Sequence, residues 1–499
     1  MVPNEARSLN CRTIALANPL VRLENSEVTE SHSWVREPSK MPSSQLPPGP
    51  RGKFLVGSAD RITNDRLRFL MTLRREYGEV SRFTVWGQQI VLITRPDHVK
   101  EILVTNHKNF HKSTALRVAK YILGEGLLTS EDALHRRQRR MMQPAFHSQR
   151  IHGYAEIMIE YAARHAARWE TDGLEGHPID MWQEMMRLTL AIVAKTLFDA
   201  DVESEAYEIG EALSTIIGLF ERVTHPAAPL LTLLPTPKNV RFLLARKRIN
   251  ATILRIIGER RASGKDHGDL LSMLLRAQDE DDGGTMTDKQ VRDEVVTLFL
   301  AGHETTANAL TFAWHLLSRN PDVEEKFHAE IDTVLEGRLP VPADYPKLEY
   351  TRRVFAETMR LYPPAYLIGR TALETFTLDG YTIPKGAAVL LSPFVTQHDA
   401  AYFPDPEVFD PDRFSPEAQQ DRHKFAYYPF GSGPRTCIGE PFAWMEGVFL
   451  MAVIAQRWRM RTVPGHPIEF DPQITLRPAH GMSMTLARRE TSLLPVAEG

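Results

Sequence analysis

The chain has 499 residues, 42% apolar and 25% charged, a composition that allows a large buried core. Its 60 basic and 63 acidic residues leave a net charge of −3, which gives no electrostatic footprint for nucleic acid. Only two cysteines occur, Cys11 and Cys437, which excludes a disulfide framework and suits a reducing compartment.

Residues 1–46 have mixed polarity and little periodicity, and read as an N-terminal extension. Pro3, Asn4 and Glu5 interrupt the start before a secretory pattern can develop. No run of 18 apolar residues occurs, so no spanning helix is expected. The expectation is a soluble, cytoplasmic protein with at most peripheral membrane contact. Pro47-Pro48-Gly49-Pro50 stiffens the entry to a single globular unit, 47–499.

Leu67, Phe69, Leu70 and Leu73 predict a helix over 66–77. Residues 79–94 read as a strand pair turning at Trp86-Gly87-Gln88. From 97 to 335 the pattern is mainly helical, broken by an apolar, proline-punctuated stretch at 226–237 and an acidic loop at 279–284. Thr287 and Gln290 form a capping box that opens a long helix over 287–320, with Val291, Val295, Leu298 and Phe299 on its apolar face. An amphipathic helix over 348–361 stops at Pro363-Pro364. Strand signals return at 375–391 with a turn at Asp379-Gly380. A last helix is expected over 438–458. The fold class is mainly α with small β-sheets, in one large domain.

The segment around Cys437 is the most informative. Gly431, Gly433 and Gly439 permit tight turns and close approach to a flat ligand. The N-terminus of the following helix and the charge of Arg435 would favour a thiolate. A second cysteine that would suggest zinc is lacking. A small buried hydrophobe, a haem ligand and a histidine-activated nucleophile all remain open on these residues. Three other motifs have bland readings of their own. Glu357 and Arg360, at i and i+3, read as an ion pair on a helix face. Glu304, Thr305 and Thr306 read as a mid-helix kink with hydroxyls bonded back to carbonyls. The basic run 135–140 reads as a solvated helix face.

Taken together, these segments resemble the cytochrome P450 monooxygenases. The pattern Phe430-x-x-Gly433-x-Arg435-x-Cys437-x-Gly439 is similar to that family's haem-binding loop, and the other motifs follow in the family's order, so that the resemblance spans about 45–487. It implies the cytochrome P450 fold and haem b (iron protoporphyrin IX), with Cys437 as axial ligand of the iron. Ala301, Phe430 and Gly439 would line the haem, while His135, Arg139, Arg370 and Arg435 would bind its propionates. Glu304 and Thr305 would relay protons above the iron, where Gly302 would leave space for dioxygen. Glu357, Arg360 and Arg413 would form a structural triad beside the cysteine loop. No cysteine set or added length suggests a fused reductase. Electrons are therefore expected from NAD(P)H through a separate ferredoxin or flavodoxin and its reductase, docking on a basic proximal surface.

The resemblance also implies a substrate pocket drawn from 107–124, 212–235, 299–305, 365–368 and 479–484. These stretches are mostly apolar, which suits a fatty acid, terpenoid, steroid-like or macrocyclic substrate. Rival readings are a haem-thiolate isomerase or dehydratase, a peroxide-using hydroxylase, and a non-enzymatic haem sensor. The Glu304-Thr305 pair argues against them. A monomer is expected.

Overall fold

Helix α1 (Arg66–Tyr77) forms where the apolar spacing predicts it and buries Leu67, Phe69, Leu70 and Leu73. The Asp65 side chain caps it by accepting from the Arg68 amide. These features come from a computed structural model, which describes residues 46–198, 236–278 and 283–489. Most of the apolar stretch 226–237, the stretch 212–235 expected to contribute to a substrate pocket, residues 1–45 and most of the acidic loop lie outside the described residues.

The predicted strand pair is β1 (Val80–Val85) and β2 (Gln88–Ile93), antiparallel with Val85 opposite Gln88. Trp86 and Gly87 both adopt positive φ, as a two-residue hairpin turn with the sheet's own twist requires. Two short strands inside the helical half, β3 (Phe110–Lys112) and β4 (Pro178–Asp180), are not visible in the sequence pattern. The helices there include α2 (Asp132–Met142), α3 (Ser148–Thr171), α4 (Met181–Phe198) and α5 (Pro237–Ser263).

The long helix α6 (Asp288–Arg319) opens on the predicted capping box: the Gln290 amide donates to Thr287 Oγ1, and the Thr287 amide donates to Gln290 Oε1. It is buried on most of its circumference, which marks it as a core helix rather than a surface one. Helix α7 (Glu349–Leu361) ends just before Pro363-Pro364. Strand β5 (Ile368–Ala372) carries Arg370 and precedes the expected start of the strand region. The Asp379-Gly380 turn joins β6 (Phe376–Leu378) to β7 (Tyr381–Ile383), and β8 (Ala388–Leu391) follows. A five-stranded sheet results, in the order β1-β2-β8-β5-β3, with β2 and β8 parallel.

The final helix, α8 (Glu440–Arg457), is two residues shorter at its start than expected. It also stops earlier, because Trp458 opens strand β9 (Trp458–Thr462). Strands β10 (Phe470–Pro472) and β11 (Leu476–Pro478) form a hairpin, and β12 (Ser483–Arg488) pairs with β9 and β4. The principal apolar cluster spans α3, α4, α6, α7 and α8.

Candidate active site

Cys437 sits in the turn that enters α8, and its amide donates to the Phe430 carbonyl at 3.0 Å. Gly433 must be glycine: its φ is +71°, and a Cβ there would lie 2.0 Å from the Leu103 carbonyl oxygen. The Phe430 ring packs on Trp444 of α8 at 5.9 Å. The thiol is reachable by solvent and yet enclosed by protein, as a group on an internal cleft would be. Burial pushes its pKa up to about 11, opposed by the N–H groups of Gly439 and Glu440 and by Arg139. The helix terminus therefore acts as expected, but the cation at the sulfur is Arg139, not Arg435. Arg139 also donates to the Thr436 carbonyl at 2.7 Å, whereas Arg435 pairs with Glu131.

His135, Arg139, Arg370 and Arg435 lie near one another, and Lys112 joins them. Lys112 is buried, donates to the Leu127 and Ser130 carbonyls at 2.8 Å, and has a pKa lowered to about 7 by burial and by Arg435 and Arg370. His135 is lowered to about 3, first by burial and then by Arg435, Lys112, Arg139 and Arg370. Arg370 is lowered to about 10 by burial and Arg435. Arg435 and Arg370 thus press on Lys112 and on one another, and hold His135 in its neutral form. The carboxylates facing Lys112 are Glu131, already paired, and Glu294, raised to about 8 by burial. An anion placed among them would relieve the repulsion. Two haem propionates are such an anion, and a thiol at a helix N-terminus is such a group's ligand, so the donor set fits a haem.

On α6, Ala301 is exposed and Thr305 half-buried, while most of the helix around them is buried. Thr305 donates back to the Ala301 carbonyl at 2.8 Å. Glu304 is buried and accepts from Thr475, in the β10–β11 turn, at 2.8 Å. Burial raises its pKa, opposed by Thr475 and Arg477. The acid and the hydroxyl are thus neighbours in sequence whose hydrogen bonds run to different partners. Gly302 corrects an expectation: a Cβ there would lie 2.9 Å from Val193 of α4, so its missing side chain serves the close packing of α4 on α6. His303 is buried with Nδ1 2.6 Å from the Phe299 carbonyl, and burial lowers its pKa to about 4.

Glu357, Arg360 and Arg413 come together in the structure. Arg360 grips Glu357 with two hydrogen bonds of 2.7 Å, both side chains fully buried. Arg413 approaches the same carboxylate at 3.4 Å. The remaining Arg360 donors go to the carbonyls of Gln397, Pro406 and Val408. Tyr427, ahead of the cysteine loop, donates to the Ala356 carbonyl on α7 at 3.0 Å.

Several groups escaped sequence reasoning. Lys112 stands on a three-residue strand with no periodicity to flag it. Glu446 is fully buried on α8, with no hydrogen bond of good geometry and a pKa raised to about 8 by burial, the nearby Thr306 hydroxyl opposing. An acid inside the apolar run of α8 was the available signal.

A model of the family described as Cytochrome P450 matches residues 47–484. The chain is 43% identical to cyclooctatin synthase of Streptomyces melanosporofaciens, over 86% of this chain and 92% of that one. It is 37% identical to cyclooctat-9-en-7-ol 5-monooxygenase of the same organism (82% and 88%). It is 34% identical to pentalenene oxygenase of Streptomyces avermitilis (82% and 90%). Among solved structures, the cytochrome P450DA heme domain superposes with a TM-score of 0.82 at 26% identity, covering 90% of this chain and 99% of that one.

Proposed function

This chain belongs to the cytochrome P450 family and is a monooxygenase, and we propose that it hydroxylates or epoxidises a terpenoid using electrons from a separate redox protein. The observation that carries the reaction is the partly buried basic cluster beside a helix-capped thiol, a donor set that suits haem. The relatives named for cyclooctat-9-en-7-ol and pentalenene narrow the apolar substrate classes to terpenoids. The Glu304-Thr305 pair favours this reading over isomerase, peroxygenase and sensor.

Bound haem would supply dioxygen activation, with the thiolate pushing electron density onto the iron. Cys437 would be the ligand, oriented by the N–H groups of Gly439 and Glu440. Lys112, His135, Arg139, Arg370 and Arg435 would hold the propionates. The Phe430–Trp444 ring pair would brace the cysteine loop against α8. The Thr305 hydroxyl would leave the Ala301 carbonyl to donate a proton above the macrocycle, and Glu304 would replace it. A surface hollow lined by Arg136, Arg139, Arg140, His147 and Pro434 adjoins the cysteine loop. It is the proposed docking place for an acidic ferredoxin or flavodoxin, reduced from NAD(P)H by its reductase.

The test is a panel of terpene hydrocarbons and alcohols, scored by the haem spin-state shift and then by oxygen uptake with a ferredoxin and reductase. A terpenoid should shift the spectrum and be oxygenated only when the redox proteins are present. Shifts by fatty acids alone, or turnover with peroxide but not with ferredoxin, would overturn the proposal.

A further inference from the structure

Glu304 does not stand alone in the core. Thr475 donates to Glu304 Oε1 at 2.8 Å, and Asn308 Nδ2 donates to Thr475 Oγ1 at 3.2 Å. Asn308 Oδ1 in turn accepts from the indole N–H of Trp182, at the start of α4, at 2.7 Å. Glu304 and Asn308 are one helical turn apart on the same face of α6. Thr475, in the β10–β11 turn, reaches both. All but Trp182 are buried.

The chemistry of the first member fixes the direction of the whole chain. An indole N–H can only donate. It therefore holds the oxygen of the Asn308 amide toward Trp182 and turns the NH2 toward Thr475. The Thr475 oxygen then receives that hydrogen bond, which leaves its single hydrogen for Glu304. Each donor points toward the carboxyl group.

We propose that Trp182, Asn308 and Thr475 are positioning residues, a one-way hydrogen-bond chain that orients Glu304 and stabilises its carboxylate form for proton uptake. The inference rests on the reading of Glu304 as the acid of the proton relay. Burial favours the neutral acid, and a donated hydrogen bond is what opposes it. The charged groups that act on Glu304 are Arg477 and Asp471 of the same hairpin, and they pair with each other at 2.8 Å. Their effects on Glu304 oppose one another, so the Thr475 hydroxyl carries more of the balance.

The experiment is an infrared pH titration of the full, haem-loaded chain at rest, following the carbonyl band of the protonated acid. Glu304→Gln identifies the band by removing it. Thr475→Val should move its midpoint upward by about one pH unit or more, since a hydrogen bond to a charged group is worth about a tenfold change in proton affinity. Trp182→Phe should move it in the same direction by less, and it keeps the test open if Thr475→Val folds poorly. Thr475→Ser should restore the wild-type midpoint. An unmoved midpoint in both Thr475→Val and Trp182→Phe overturns the proposal. So does a Thr475→Ser midpoint displaced as far as that of Thr475→Val, or the lack of any wild-type band that Glu304→Gln removes. No turnover is involved, so these results are separable from whether Glu304 delivers protons, which is read from peroxide release by Glu304→Gln.

Discussion

Glu357→Ala removes the carboxylate that two guanidinium groups share. Arg360 would keep its hydrogen bonds to the carbonyls of Gln397, Pro406 and Val408, but its charge would be fully buried and unpaired. Breaking a buried ion pair on one side costs about 3–5 kcal/mol. A domain's whole stability is about 5–15 kcal/mol. With an unfolding entropy of about 2.1 cal/mol/K per residue, a folded unit of this size takes up about 1 kcal/mol per kelvin, so the melting temperature should fall by roughly 3–5 °C. The loss should be felt at the cysteine loop, because Asp410 donates its amide to Glu357 and Tyr427 anchors to α7. The assay is haem content per chain together with thermal unfolding. Glu357→Ala should purify with much less haem and the lower melting temperature. The double variant Glu357→Leu with Arg360→Met should recover part of the stability, since it removes the unpaired charge but leaves the Gln397, Pro406 and Val408 carbonyls without their donor. Wild-type haem content and melting temperature in the single variant would refute the reasoning.

Gly433→Ala should destabilise by more than ~1 kcal/mol and lower haem retention, because the new Cβ meets the Leu103 backbone at a positive φ; denaturant midpoints check it, and an unchanged midpoint contradicts it. Thr305→Ala should retain haem and substrate binding but release more peroxide per electron consumed, which an oxygen electrode with catalase reads out; unchanged coupling would mean another group donates the proton. Buried histidines give a pH prediction for the haem-free chain. His135 falls to about 3, and His303 and His398 to about 4, by burial. A folded pKa below the unfolded one makes folding cost more as pH drops, so stability should fall from pH 6.5 toward 4. His135→Gln should lessen that slope, and an identical slope would contradict the assignment.

The parts of this molecule legible in its sequence are those with short-range signatures. Thr287 and Gln290 announced α6 because a capping box is a local device. Phe430, Gly433, Arg435 and Cys437 were found because the loop keeps them within eight residues. Glu357 and Arg360 were found because they lie one turn apart. Long-range contacts were not legible. Lys112 meets Arg435 only because β3 joins the edge of the five-stranded sheet beside β5. Thr475 reaches Glu304 across 171 positions, and nothing near either residue encodes that approach. Gly302 was misread because the face of a core helix that touches a neighbour cannot be told from one that faces a cleft. Trp458 was placed in a helix because the apolar run continues through it, but it begins a strand paired with β12.

The central claim is that Cys437 ligates a haem iron as thiolate. The most direct measurement is the absorption spectrum of the reduced protein under carbon monoxide, for wild type and Cys437→Ser. The wild-type band should lie at the long-wavelength position characteristic of a thiolate ligand, and Cys437→Ser should lose that band. A wild-type band at the shorter wavelength given by a histidine ligand, or an unchanged band in Cys437→Ser, would contradict the account.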